Sequence, residues 1–196
     1  MIGQSKISEW TGNLALTGFT APKILWLKEN EPENFARIKK IMLPKDYVAY
    51  RMSGVFATDM SDASGTLYLD VKNRKWSEPM MELLGISESQ LPKLYESFEV
   101  VGTIKQEVAA ELGLSQDVKI VIGGGDQAVA AVGGGVVKPG DCSLSLGTSG
   151  VVFAATNEFF VDEKNSLHSF CHANGKYHLM GVTLAAAASL KWWVEE

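Results

Sequence analysis

Residues 118–135 read VKIVIGGGDQAVAAVGGG, and this stretch decides how the fold is predicted. Its first five residues are apolar and largely β-branched apart from Lys119, which indicates a buried β-strand. Three glycines follow directly, and Asp126 then begins a short helical pattern that is interrupted at Gly133. The stretch therefore predicts a strand, a glycine turn and a short helix in succession, a local order typical of α/β proteins.

The residues before this stretch space their apolar side chains as helices do. We expect helices over 21–31, 33–40, 45–52, 77–84 and 105–112. The polar run TDMSDASGT at 58–66 places Asp59 and Asp62 three residues apart, on one face if the run is helical. Residues 1–10 offer neither a strand nor a capped helix, so the chain is expected to begin inside a domain.

The residues after the stretch are predicted to form a second unit, separated at the turn Lys138-Pro139-Gly140. We expect strands over 141–146, 151–155 and 176–184 and a final helix over 185–196. The first two strands would be joined by a hairpin turn at 147–150. The final helix has no glycine or proline stop, so the chain is also expected to end inside a domain.

Composition excludes several classes of protein. A net charge of −5, 46 % apolar residues and a mean hydropathy of +0.03 do not fit a disordered, fibrous or nucleic-acid-coating chain. Apolar stretches are short and interrupted, so we expect no membrane partner. Cys142 and Cys171 cannot form a disulfide framework and lie in no zinc-binding spacing, which favours a reducing, cytoplasmic setting.

Asp126 is the first candidate for chemistry. A carboxylate at a helix N-terminus, on a turn whose glycines leave space, can accept a proton from a small polar substrate. The helix dipole would keep this carboxylate ionised. The alternative interpretation is an ordinary N-cap aspartate.

The same stretch formally matches the GxGxxA pattern of dinucleotide-binding proteins, with its start at Gly123. Asp126 would repel a phosphate at the helix N-terminus, and the helix is short for that fold. A dinucleotide-binding oxidoreductase is therefore kept only as a rival interpretation.

Two further groups of residues are candidates for binding. The tip Gly147-Thr148-Ser149-Gly150 could present backbone N–H groups and two hydroxyls to phosphate oxygens, or be a simple turn. His168, His172 and His178 lie near Cys171, but their spacing fits no common zinc pattern. We expect a packed loop with satisfied imidazoles there, and no metal ligand is predicted anywhere in the chain.

Six blocks of the sequence, in this order, resemble the FGGY carbohydrate kinase family. They are TGFTAPKILWLKENEPE at 17–33, IMLPKDYVAYRMSG at 41–54, TDMSDASGTLYLDV at 58–71, IVIGGGDQAVAAVGGGVVKPG at 120–140, SLSLGTSGVVFA at 143–154, and HSFCHANGKYHLMGVTLAAAASLKWW at 168–193. The resemblance covers nearly the whole chain from Thr11 onward.

The resemblance implies an α/β protein of the RNase H-like (actin/hexokinase-type ATPase) fold. Residues 1–137 would be the later part of the sugar-binding domain I, and 138–196 the start of the nucleotide-binding domain II. It implies ATP and Mg²⁺ as cofactors, a small sugar as substrate, no nucleic acid, and a homodimer when the protein is intact. By the same resemblance, Asp126 is the catalytic base, Gln127 contacts the sugar, and Gly147, Thr148 and Ser149 face the nucleotide phosphates.

The implied reaction is phosphorylation of a ketopentose, D-xylulose before others, to the 5-phosphate. Family members are longer and carry an N-terminal Asp-x-Gly-Thr phosphate element that this sequence lacks, so the chain alone is expected to be inactive. The alternatives are a family kinase for ribulose, gluconate or glycerol, and a non-catalytic sugar- or nucleotide-binding module.

Overall fold

The computed structural model describes residues 2–195 as helices and short strands packed around three groups of apolar side chains. The helices are α1 (Gln4–Thr11), α2 (Thr20–Asn30), α3 (Pro32–Ala36), α4 (Pro44–Ser53), α5 (Met60–Ser64), α6 (Glu78–Leu84), α7 (Gln106–Leu112), α8 (Asp126–Gly133) and α9 (Ala187–Glu195), with a 3₁₀ turn at Glu88–Gln90. The strands are β1 (Ala57–Asp59), β2 (Leu69–Asp70), β3 (Lys75–Trp76), β4 (Lys93–Tyr95), β5 (Val100–Thr103), β6 (Lys119–Val121), β7 (Cys142–Leu146), β8 (Gly150–Thr156), β9 (His168–Cys171) and β10 (Tyr177–Thr183).

The largest sheet has four antiparallel strands in the order β7-β8-β10-β9. Its hairpin between β7 and β8 closes with Leu146 paired to Gly150. The remaining strands form pairs: β1 with β4 in parallel, and β2 with β3 and β5 with β6 antiparallel. The polar tip at 147–149 thus projects from one end of the large sheet.

Apolar packing joins the large sheet to the helices that precede it. The first core group combines Tyr68, Met80 and Leu84 with Phe170 and Cys171 of β9. A second group surrounds Ile104, Ile120 and Ile122 next to β6. The third packs Ala128 and Ala131 of α8 against Phe153 and Ala155 of β8. Helix α8, which begins at Asp126, therefore packs against the large sheet.

The expected helices are present, with one clear error of length. The helix predicted over 33–40 ends at Ala36, whereas those predicted over 21–31, 45–52, 77–84 and 105–112 agree with α2, α4, α6 and α7 to within about one residue. Glu196, in the helix predicted over 185–196, lies outside the described residues. The longest described helix, α2, has 11 residues, and none in the described part could cross a membrane.

Three predictions at the strand and terminal segments need correction. The strand predicted as buried over 118–122 is only Lys119–Val121 and is buried on one face alone, because Ile120 lies in the core whereas Val121 on the opposite face is 47 % exposed. The N-terminal residues, expected to form no capped helix, form α1. This helix ends at Gly12, whose φ of +79° only glycine adopts easily, and a Cβ there would lie 2.8 Å from Phe159 Cε2. His168–Cys171, expected to be a loop, is strand β9.

Candidate active site

The glycine turn places Asp126 at the first position of α8, with Gly125 as the N-cap residue. The carboxylate is exposed, and its Oδ1 accepts a hydrogen bond from the N–H of Gln127 at 2.7 Å. The N-cap interpretation of Asp126 is therefore wrong, because Gly125 is the N-cap residue and Asp126 is the first residue of the helix. The second carboxylate oxygen of Asp126 remains available to accept a proton from a substrate.

A cleft of about 160 Å³ lies beside Asp126. Two acidic residues, Asp126 and Asp62, line it together with Gln127. Its other lining residues are Ser61, Gly65, Gly125, Ala128, Phe170, His178 and Met180. This volume is below that of drug-sized ligand pockets, so the cleft suits a small polar molecule whose hydroxyl reaches the Asp126 carboxylate.

A buried ion cluster lies behind the glycine turn. Lys45 Nζ is 3.0 Å from Asp59 Oδ1 and 2.8 Å from Asp46 Oδ1, and both aspartates are buried. Burial alone would lower the pKa of Lys45, but the charges of Asp59 and Asp46 outweigh burial and raise the pKa above its ordinary value. Lys45 is thus a fixed cation that compensates the buried carboxylates.

The pKa of Asp62, which lines the cleft, is raised well above its ordinary value. Burial, with the charges of Asp59, Asp46 and Asp126, raises its pKa from 3.8 to about 6, although Lys45 Nζ lies 4.0 Å away and lowers it. Asp62 therefore takes up a proton on mild acidification.

We expect Asp62→Asn to stabilise the chain at pH 8 and to change little at pH 4. The folded-state pKa of Asp62 lies above the unfolded value, so the ionised side chain disfavours folding above about pH 6. A shift of this size, discounted for a side chain that is 31 % exposed, is about 1 kcal/mol, or roughly 2–4 °C in the midpoint of thermal unfolding.

Thermal unfolding followed by circular dichroism at pH 4, 6 and 8 measures this difference. Asp117→Asn serves as the control, because Asp117 is exposed and its pKa is lowered by a hydrogen bond from Ser115. That variant should show no gain at pH 8. A gain for Asp62→Asn that is equal at pH 4 and pH 8 would contradict the assignment.

The tip at Gly147, Thr148 and Ser149 is exposed and is not among the residues that line the cleft. The predicted hairpin is confirmed. Gly147 donates its N–H to Ser149 O at 2.9 Å, so this amide is engaged within the turn. The carbonyls of Gly147 and Thr148 accept from Ala187 and Ala186 at the start of α9, at 3.0 and 2.9 Å. The structure does not bring the tip to Asp126. The exposed hydroxyls of Thr148 and Ser149 are available as donors.

The histidines are packed, as expected, but the expectation of satisfied imidazoles is wrong, because the buried Nδ1 atoms of His172 and His178 have no hydrogen-bond partner among residues 2–195. His172 Nε2 donates to the carbonyl of Val136 at 2.9 Å, and His178 stacks on Phe153 with ring centroids 4.0 Å apart. Burial, aided by the charge of His172, lowers the pKa of His178 to about 3, so this cleft residue stays neutral. Among residues 2–195 no group of three or more His, Cys, Asp or Glu side chains has the geometry of a metal site.

The topology excludes the dinucleotide-binding interpretation of the glycine turn. That fold requires α8 to connect two parallel strands of one sheet. Here β6 pairs antiparallel with β5, and the next strand along the chain, β7, belongs to the four-stranded sheet.

Comparison with known proteins identifies the family. The sequence pattern of the FGGY family of carbohydrate kinases, N-terminal domain, matches residues 1–133. The chain belongs to the FGGY family of carbohydrate kinases. The actin/hexokinase-like ATPase fold expected from the six blocks is confirmed by the crystal structure of a xyloylose kinase from Brucella ovis. That structure superimposes with a TM-score of 0.93 at 44 % identity, over 96 % of this chain and 39 % of that one.

Curated relatives of this FGGY chain include two xylulose kinases. The Escherichia coli protein is 50 % identical over 183 residues, which is 93 % of this chain and 38 % of the relative. The Lactococcus lactis protein is 47 % identical over 195 residues, 99 % of this chain and 38 % of the relative. The FGGY chain therefore spans about two fifths of the length of these relatives.

Only part of this site could be predicted from the sequence. Asp126 and Gln127 were predicted from the glycine turn and the resemblance, and the structure places both at the cleft. Ser61 and Lys45 were not singled out. The run TDMSDASGT was noted for its paired aspartates, and its small, polar composition was the available signal that it packs closely against another backbone.

Proposed function

We propose that this chain carries the sugar-side catalytic carboxylate of an ATP-dependent kinase that converts D-xylulose to D-xylulose 5-phosphate. One observation carries the proposal: Asp126 presents a free carboxylate oxygen at a helix N-terminus beside a cleft of small-molecule size, in a member of the FGGY family. Deprotonating an alcohol as it attacks phosphorus requires a base in this position.

In the proposed reaction Asp126 accepts the proton of the terminal sugar hydroxyl while that oxygen forms a bond to the γ-phosphorus. The bond between the γ-phosphorus and the oxygen that bridges to the β-phosphate breaks, and ADP leaves. Gln127, half-buried beside Asp126, can donate and accept hydrogen bonds with neighbouring sugar hydroxyls and so orient the attacking one. Neutral His178 and the apolar Phe170 and Met180 also line the cleft and make that part of its surface uncharged.

ATP supplies the phosphoryl group, and Mg²⁺ neutralises phosphate charge when it is bound. Among residues 2–195 no group of three or more His, Cys, Asp or Glu side chains could hold a metal ion, so none of these residues is assigned as a ligand of Mg²⁺. We assign the tip at Gly147, Thr148 and Ser149 to contacts with nucleotide phosphates, with the hydroxyls of Thr148 and Ser149 as donors and Gly147 as the residue that shapes the turn. The position of these hydroxyls at the exposed end of the hairpin supports this assignment.

The substrate is proposed as D-xylulose because the curated relatives described above are xylulose kinases. The rival substrates are those of similar structures, which include a gluconate kinase from Lactobacillus acidophilus at a TM-score of 0.90 and 28 % identity. A cytoplasmic location, where ATP is plentiful, belongs to the same proposal. The homodimer and the domain boundary at 138 stay predictions.

A chimeric enzyme tests the proposal without any assumption about the ends of the chain. The segment of Escherichia coli xylulose kinase that aligns with this chain over 183 residues is replaced by it. We expect ATP-dependent phosphorylation with kcat/KM for D-xylulose at least about tenfold above that for D-ribulose, D-gluconate and glycerol, a ratio that a few substrate contacts supply. The parent enzyme is the control for assay and folding. A folded chimera that phosphorylates none of these compounds, or prefers another, would contradict the proposal.

A further inference from the structure

We infer that Ser61, held by Asp59, is a positioning residue that fixes the backbone directly before Asp126. Ser61 Oγ accepts a hydrogen bond from the N–H of Gly125 at 2.9 Å, across a sequence separation of 64 residues. The inference rests on the proposed role of Asp126 as the base.

The direction of each hydrogen bond follows from the number of protons available. Ser61 has one hydroxyl proton, and Asp59 Oδ2 lies 2.5 Å from Ser61 Oγ with only lone pairs to offer. The hydroxyl therefore donates to Asp59, and its lone pairs face the Gly125 N–H. A charge-assisted bond of this kind orients the serine more firmly than a neutral acceptor would.

Asp59 is itself immobilised from several sides. It is completely buried and caps α5 by accepting the backbone N–H of Ser61 at 2.8 Å. Ser97 Oγ donates to the same Oδ2 at 2.7 Å, and Lys45 Nζ lies 3.0 Å from Oδ1. The Gly125 amide is thus anchored to a network that draws on three separate parts of the chain.

The glycine turn fits closely against this network. A Cβ added to Gly124 would lie 2.9 Å from Ser61 Oγ, 2.9 Å from Val129 Cγ1 and 3.1 Å from Ser97 Oγ. Any side chain at this position would push the turn away from the two serines. The close approach that Gly124 permits is what brings the next amide, that of Gly125, within reach of Ser61.

A positioning role differs from a purely structural one in a measurable way: its effect must pass through Asp126. In the chimera, Ser61→Ala should lower kcat by roughly 10–100-fold with both KM values within about threefold, since a displacement of about 1 Å can cost 10²-fold in rate. In the Asp126→Ala background the same substitution should cause no further loss. A double-mutant cycle measures this coupling.

Ser64→Ala is the matched control. Ser64 is in the same helix and is equally buried, but its hydroxyl accepts from Cys171 N–H at 3.0 Å and donates to Met60 O at 2.8 Å, away from the turn. This variant loses a comparable buried hydrogen bond, and its kcat should stay within about threefold of the unmutated chimera. Gly124→Ala disturbs the same contact from the glycine turn, because its Cβ would lie 2.9 Å from Ser61 Oγ. This variant should reproduce the kcat loss of Ser61→Ala.

The possible results distinguish a failure of the positioning role of Ser61 from a failure of the proposed function. An unchanged kcat in Ser61→Ala and Gly124→Ala, together with an inactive Asp126→Ala, overturns the positioning role and leaves the proposed function intact. A Ser61→Ala loss that persists at the same factor in the Asp126→Ala background also overturns it. An active Asp126→Ala chimera would instead contradict the assignment of the base on which both claims rest.

Discussion

Asp126→Ala in the chimera is expected to lower kcat by roughly 10²–10⁴-fold while both KM values change only a few-fold, the range for loss of a general base. The carboxylate lies at the N-terminus of α8 with one oxygen bound to the Gln127 N–H and the other free. Its removal deletes the proton acceptor and leaves Gln127 and the other cleft residues in place. Binding is therefore retained while the chemical step is lost.

Steady-state rates of ADP formation with D-xylulose and ATP measure this effect. Asp117→Ala is the control because it removes an exposed aspartate that precedes β6 and does not line the cleft. Its kcat should stay within about twofold, as is usual for surface substitutions away from special features. An Asp126→Ala chimera that keeps more than about a tenth of the unmutated kcat would show that another group takes the proton.

Local sequence patterns predicted only that part of the site whose residues are close together in the sequence. The order strand, glycines, aspartate, helix is contained in fewer than 20 consecutive residues, so Asp126 could be placed from the stretch at 118–135, whereas Gln127 was assigned through the family resemblance. Ser61 lies 64 residues before Gly125, and no periodicity links the two. Their contact depends on how α5, α8 and β9 pack together, which is a tertiary property.

Asp59 and Asp62, in the run at 58–66, show a related limit of prediction from residue spacing. Three-residue spacing predicts one helical face, and Asp62 does lie in α5. Asp59, however, precedes the helix as its N-cap, so its side chain turns to the backbone N–H of Ser61 and is buried. Spacing alone could not separate a capping aspartate from one that lines a cleft.

Strands were harder to predict than helices for a physical reason. Residues 118–122 are apolar apart from Lys119, but composition does not reveal that only one face of β6 is covered, which leaves Val121 exposed while Ile120 is buried. Strand β9 has only four residues and begins with a histidine, so it offers no alternation to detect. It is recognised only through its pairing with β10 and its packing on α5.

The 196-residue chain, assayed by itself, is expected to show no measurable phosphorylation of D-xylulose although it carries Asp126. Phosphoryl transfer depends on a phosphate held in line with the attacking oxygen and on stabilised charge, and the protein contributes little else. In this structure the tip at 147–149 is exposed and does not line the cleft beside Asp126. Donors that face water bind phosphate weakly, because water screens them and competes for their hydrogen bonds.

A coupled assay of ADP release, with D-xylulose, ATP and Mg²⁺ at high chain concentration, measures this activity, and the chimera under the same conditions is the positive control. The rate per chain should fall below about a thousandth of the chimera's, since positioning of the reacting groups is worth several orders of magnitude. Sugar-independent ADP release would indicate hydrolysis by a contaminant. A sugar-dependent signal that disappears in Asp126→Ala would contradict the prediction, because it would mean that this chain aligns ATP with the sugar through contacts other than those assigned to the tip.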